Sequence, residues 1–514
     1  MKRTSNVGIG LCVAGALFGA TQLHAQGGGN WSTNRYDLAH SGAPKSENSI
    51  KKEALNGDFK FLWKLKLGNE QGDTRSYSEP LLIPKLINAQ GFKDFVIWAG
   101  KQDVYAVDSE LGKVLWTKHY DVTPGACPSN LSMTMEAPLV INFGARRAPG
   151  SRPPTPQGPT AVKDRRVGGS AGGGGFGLKG LYVLTPDGYL HEQVITTGVD
   201  FAPAVKFLPG PAGAQKGLSI SGKTIYTATA SSCAGAKNGM YALDMTSASY
   251  PLTSYETKAV SQLTAMGPTL GEGVAYVVTG KGVNDAAAGI YANSVVAVAA
   301  DGKPKAWYAA AGPLRNVTPA AFTYKQKKLL VAPGNGGSFV VLDADNPGGA
   351  DHHTVLAESG AVGGSTGEAA DALSVWTDTS SDTTWVFASI QGSVAKTAKF
   401  ASSNGAATHG SVVAFKLEGD GDKLTLTPAW ASPDMVSPTP PVAVNGLVIA
   451  LAQGSASVKA KLLVLDGATG KTLYTSGDGI STYARMAGIS VGDGHVFFVT
   501  HDGTLYSYGI GIEH

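Results

Sequence analysis

The sequence predicts an all-β chain folded as an eight-bladed β-propeller of four-stranded antiparallel blades, closed by an N-terminal strand. Three observations carry this. Of 514 residues, 68 are Gly and only 16% are charged. That composition suits many short strands and turns and excludes coiled coils and long helical bundles. A strand–turn–strand unit recurs along the chain, as Val104–Trp116 and again as Leu462–Tyr474. The last unit stops after its third strand, near Tyr508, so one strand must come from elsewhere.

Both clear units run apolar strand, Asp, three residues, Gly-Lys, then a strand ending in an aromatic. Degenerate copies follow at Met240–Asp244, Val295–Ala299, Phe339–Asp343, Val412–Lys416, Tyr189–Gln193 and Leu505–Gly509. Their fifth positions are 108, 193, 244, 299, 343, 416, 466 and 509, mostly at the spacing of a propeller blade. An upstream strand opening near Pro precedes many units: Glu79–Leu82, Glu136–Val140, Phe201–Val205, Met266–Leu270 and Val317–Ala321. Proline at the start of a strand loses no ladder hydrogen bond. Asp187-Gly188 and Asp502-Gly503 read as tight turns into third strands. Phe61–Leu65 has the form of the missing fourth strand, with Trp63 matching Trp116, Trp307 and Trp430 at a blade-packing position. Closure with both chain ends removes exposed sheet edges.

Residues 1–25 read as an export signal. Lys2 and Arg3 precede the apolar run Val7–Ala20, and Ala25 ends it with a small residue. Residues 26–60 form a lead-in and 61–514 the propeller. An insertion dense in Gly, Pro and Arg, 144–177, reads as a flexible loop, with a basic binding arm as the alternative. The expected location is periplasmic or secreted. No other run is long enough to cross a membrane as a helix. The formal net charge of +3 leaves no footprint for nucleic acid. Cys127 and Cys233 are the cysteines outside the signal, and an oxidising compartment would pair them.

The units resemble the pyrroloquinoline-quinone (PQQ) repeat, with its Ala-φ-Asp-x-x-Thr-Gly-x-x-φ-Trp consensus, over about residues 31–510. Trp31–Asp37 is similar to the Trp-rich opening of quinoprotein dehydrogenases. The resemblance implies an eight-bladed propeller and, in the enzymes of the family, PQQ with calcium or a lanthanide. The same repeat also builds a non-enzymatic propeller of outer-membrane β-barrel assembly. Segments entering the first strands should crowd the axis. For a polyanionic cofactor they offer Glu79, Glu136, Arg315, Glu368 and Arg485, and for its metal Asp200 and Asp371; the resemblance to the enzymes' Thr-Gly-Asn element adds Asn284 as a metal ligand. The same charges suit a solvated channel mouth with ion pairs.

The enzymes' Trp-Asp-x-Asp, which carries the catalytic base, is replaced here by Leu314-Arg315-Asn316-Val317. Asn284 is displaced from their metal-binding Thr-Gly-Asn element, and their adjacent cysteines are lacking. No catalytic residue is assigned. Asp351-His352-His353 reads as a polar loop and Gly334–Gly337 as a hairpin turn. The expected function is a monomeric binding or scaffold module for a small-molecule or protein partner at the funnel. The alternative is a PQQ-dependent oxidoreductase with an external electron acceptor.

Overall fold

The computed structural model describes residues 30–68, 79–88, 91–122, 130–136, 180–211, 214–230, 235–258, 260–261, 264, 266–363, 372–421 and 423–511. The export signal, the 144–177 insertion, Cys127, Cys233, Glu368 and Asp371 lie outside them. Among the described residues only two short 3-10 helices interrupt the strands, Glu53–Asn56 and Asn335–Gly337. Among the described residues no helix is long and apolar enough to cross a membrane.

Eight sheets form the ring, seven with four strands and one with five. From the innermost strand outward, blade 1 is Leu81–Asn88, Gly91–Ala99, Asp103–Asp108 and Lys113–His119. Blade 2 is Ser132–Met135, Gly180–Leu184, Tyr189–Val194 and Val205–Lys206. Blade 3 is Ala214–Ser221, Thr224–Ala230, Gly239–Asp244 and Leu252–Glu256. Blade 4 is Thr269–Gly271, Val274–Val278, Ser294–Ala299 and Pro304–Ala309. Blade 5 is Ala320–Tyr324, Lys327–Pro333, Phe339–Asp343 and Ala357–Glu358. Blade 6 is Leu373–Asp378, Thr383–Gln391, Gly410–Asp420 and Lys423–Ala431, with Ser402–Ser403 added in parallel outside the last. Blade 7 is Val442–Val444, Leu447–Ala452, Lys461–Asp466 and Thr472–Thr475.

Blade 8 is Ser490–Gly492, His495–Val499 and Thr504–Ile510, completed by Phe59–Lys66. The closing pair is antiparallel, Phe59 opposite Ile510 and Lys66 opposite Thr504. Strand Phe59–Lys66 covers an edge that a chain ending at blade 8 would leave open.

All eight repeat positions fall in third strands. The motif's Gly and Trp lock neighbouring blades. Trp63, Trp116 and Trp430, on outer strands, donate their indole N–H to Ser109 O (2.8 Å), Ile195 O (2.8 Å) and Gly467 O (2.9 Å) of the next blade's hairpin. Their rings lie against Gly112, Gly198 and Gly470, whose φ values are +61°, +70° and +70°. Only glycine takes that backbone without strain and leaves room for an indole. Trp307 stacks instead on His352, 3.6 Å between centroids. The apolar core is correspondingly split into layers between adjacent blades, such as Phe387, Trp430, Val448 and Leu465 between blades 6 and 7.

Two upstream strands differ from expectation. Blade 2 opens with Ser132–Met135, which ends before Glu136. Phe201–Val205 belongs to the outer hairpin of blade 2, where Phe201 N–H donates to Glu192 O (2.7 Å), and does not open blade 3. Proline is tolerated at outer edges as well as at strand starts, so the Pro signal does not separate the two.

Candidate functional site

A propeller's axis is the natural place for a ligand, and here the chain's own residues 31–43 run round it. They hydrogen-bond the first strands of seven blades in succession. Trp31 pairs with Leu82 of blade 1 (2.9 and 3.0 Å), and Ser32 O accepts from Met135 N–H of blade 2 (3.0 Å). Thr33 Oγ1 donates to Leu218 O of blade 3 (2.9 Å). Leu38 O accepts from Leu270 of blade 4 (2.8 Å). Ala39 O, Ser41 O and Gly42 O accept from Ala321, Val375 and Ala443 of blades 5, 6 and 7, each at 2.9 Å. Blade 8 closes the circle through Ser490 Oγ, which donates to Pro80 O. Arg35, Tyr36, His40 and Gly42 have φ of +60°, +78°, +55° and +57°, which bends the segment into this inner ring. At Gly42 a Cβ would fall 2.1 Å from Arg35 Nη2, so glycine is required there.

The centre of the inner ring is an ion pair with both side chains 0% exposed, Arg35 Nη1 to Glu79 Oε1 at 3.5 Å. Glu79 Oε2 accepts from Arg35 N–H (2.6 Å) and Trp31 Nε1 (3.0 Å). Arg35 Nη2 donates to Ser374 Oγ (2.6 Å) and Pro441 O (2.5 Å). Burial pushes the Glu79 carboxyl up and the Arg35 guanidinium down, and each charge opposes the shift in the other. His40, also 0% exposed, has Nδ1 3.3 Å from Thr269 Oγ1. The Thr269 hydroxyl donates to Pro319 O (2.6 Å), which assigns the proton to His40 Nδ1. Burial first, then the Arg35 charge, push His40 down to about 3, so it is neutral.

The other expected site residues do not converge on this centre. Glu136 follows the first strand of blade 2, and its Oε1 accepts from Tyr182 OH (3.4 Å) and Lys223 Nζ (3.3 Å). Asp200 sits in the outer hairpin of blade 2, paired with Lys118 at 2.8 Å. In an antiparallel blade those two connections lie at the end opposite the first-strand entrances. This corrects the placement expected for Glu136 and Asp200. Asn284 is exposed in the second-to-third-strand connection of blade 4. Arg315, before blade 5, donates Nη2 to Gly363 O, and burial lowers its pKa. Arg485, before blade 8, lies over the Tyr483 ring at 5.9 Å.

Both Glu79 oxygens are engaged by Trp31 and Arg35, and Glu136 and Asp200 stand at the opposite end of their blade with partners of their own, Tyr182 and Lys118. The described residues therefore do not fit a quinone with its metal. One carboxylate trio among them comes close enough to share a cation, Asp94, Glu110 and Asp493, with ligand oxygens within 4.8 Å. It lies where blades 8 and 1 meet, and His495 Nε2 stands 3.1 Å from Glu110 Oε1. The residues that sequence reasoning missed are Arg35 and His40. Their only signal was a polar, Trp-containing stretch without strand periodicity.

Fold and axis together define an eight-bladed β-propeller whose centre is filled by its own N-terminal segment. Compared as a sequence, the chain matches no family profile and no curated relative. Compared as a structure, it has the propeller fold of quinoprotein dehydrogenases. It is similar to the quinohemoprotein alcohol dehydrogenase of Comamonas testosteroni (TM-score 0.56, 14% identity, covering 94% of this chain and 81% of that one). The quinohemoprotein alcohol dehydrogenase of Pseudomonas putida HK5 gives 0.56, 14%, 95% and 81%. A europium-containing methanol dehydrogenase gives 0.56, 12%, 94% and 98%. At such identities the likeness establishes the fold alone.

Proposed function

We propose that this chain is an exported propeller acting as a binding or scaffold module in the periplasm or outside the cell, meeting small-molecule or protein partners on the faces and rim of the ring. The observation that carries this reading is the inner ring. Residues 31–43 are bonded to the first strands of seven blades, and Arg35 commits Glu79 at the centre. A cation at Glu79 would have to displace Arg35 and Trp31, leaving a buried guanidinium unpaired. The replacement of Trp-Asp-x-Asp by Leu314–Val317 supports the same reading, because alcohol oxidation needs a positioned base.

A PQQ-dependent oxidoreductase with an external acceptor is the second reading, favoured by the likeness of fold to the three dehydrogenases. The deciding experiment purifies the full chain from a PQQ-supplied host, with calcium or lanthanum added. The expected result is no quinone absorbance and no alcohol-dependent dye reduction. Turnover with simple alcohols that is lost on Glu79→Gln, Glu136→Gln or Glu368→Gln would overturn the proposal.

A further inference from the structure

Blade 6 carries the ring's extra strand because its second-to-third-strand connection, residues 392–409, is an arm folded back over the sheet. The arm's base is closed by Gly392 N–H donating to His409 O (3.0 Å). Asp434 fixes it from the following turn, with Oδ1 accepting from Thr408 N–H (2.7 Å) and His409 N–H (2.8 Å) and Oδ2 2.6 Å from His409 Nδ1. Its tip is tied down by Asn404 Nδ2, which donates to Ala431 O and to Thr469 O of blade 7, both at 2.9 Å. Val394, Ala398 and Phe400 pack on the apolar layer between blades 5 and 6, with the Phe400 and Phe415 rings 6.3 Å apart. The arm is thus held at base, middle and tip.

Between arm and sheet lies a half-open cavity of about 300 Å³. Val394, Ala398, Phe400, Ala407 and Ala431 give it an apolar wall, and Lys399 also lines it. The arm's sequence contains Lys396 and Lys399 and no Asp or Glu. Lys399 is exposed, and among the described residues no carboxylate pairs with it. The volume is at the low end for small-molecule sites, enough for one compact group. A single ammonium beside an apolar wall favours one negative charge attached to that group. It does not favour a phosphate, which draws on several donors.

We propose that this cavity binds a carboxylate joined to one compact apolar group. The apolar part packs on Phe400 and the alanines, and the carboxylate meets Lys399. The ligand is either a free short-chain acid or the C-terminal residue of a peptide ending in an aliphatic side chain. The site is on the outer edge of blade 6, apart from the axis, so its test is separate from that of quinone chemistry.

Saturation-transfer NMR titrations on the full chain would use 4-methylpentanoate, its amide, and N-acetyl-Gly-Leu as probes. Saturable binding of both acids, with the amide at least tenfold weaker, is the expected result. The tighter acid identifies the source, free acid or chain end. Lys399→Gln should weaken binding about tenfold. Ala407→Phe, which fills the cavity from the partly exposed arm, should abolish it. Unchanged unfolding midpoints show that either variant is folded. No saturable signal from either acid overturns the proposal. So does equal binding of the amide, or full affinity in folded Lys399→Gln.

Discussion

Acidification should loosen the inner ring through His40. Its imidazole titrates near 6.5 in an unfolded chain and is held at about 3 in the folded one by burial and by Arg35. The folded value is the lower, so the unfolded chain takes up the proton first as pH falls. The stability that neutral His40 contributes is complete above pH 6.5 and is lost progressively towards about 3. At pH 4.5, about two units below the unfolded value, the loss is about 3 kcal/mol at about 1.4 kcal/mol per unit. Asp37 and Glu79 face the same centre and are pushed up by burial, so their protonation offsets part of the loss. Comparison with His40→Asn isolates the imidazole, and Asn tolerates the φ of +55° at that position. Urea unfolding of both proteins at pH 7 and pH 4.5 should show the parent losing about 3 kcal/mol more than the variant. Equal losses would refute the argument, because they would mean that His40 is hydrated or free to protonate in the folded ring.

Arg35→Met should cost about 3–5 kcal/mol in urea unfolding, because it leaves Glu79 buried and uncompensated. Adding Glu79→Gln should restore more than half of that loss, and a double variant as unstable as the sum of the singles would contradict a paired centre. Gly470→Ala places a Cβ 2.3 Å from the Trp430 ring, whereas Gly477→Ala meets nothing within 4 Å at a similar positive φ. Gly477→Ala should cost about 1 kcal/mol from backbone strain, and Gly470→Ala at least twice that; equal losses would remove the indole lock as the reason for the motif. Deleting residues 26–68 should expose strand Thr504–Ile510 and empty the axis, giving oligomers in size-exclusion chromatography. A monomer with unchanged thermal stability would count against closure by the N-terminal segment.

What could be read from the residues was local. Asp, Gly and the closing aromatic of the two clear repeats lie within about a dozen positions of one another, so Val104–Trp116 and Leu462–Tyr474 announce a hairpin before any tertiary contact forms. The unit recurs along the chain, and repetition multiplied that signal into a blade count. The unfinished unit at Tyr508 pointed to Phe61–Leu65 for the same reason, since a sheet edge needs a partner. The candidate site had no such help. Glu79 is charged and precedes a first strand, which marks it for the axis, but nothing near it in sequence says that its oxygens are taken by Trp31 and Arg35. Glu136 and Asp200 carried the same local marks as Glu79 and stand at the other end of their blade, because a proline-bearing strand start and a proline-bearing outer edge look alike along the chain.

The sequence by itself therefore determined the blade, its number and its docking Trp residues, all of them products of short-range pattern. Only the tertiary structure decided what occupies the centre. Arg35 finds Pro441 across 406 residues, and the inner ring of 31–43 has no periodicity of its own. Its shape comes from the seven first strands whose free hydrogen-bonding groups it satisfies, and those are brought together only when the ring closes.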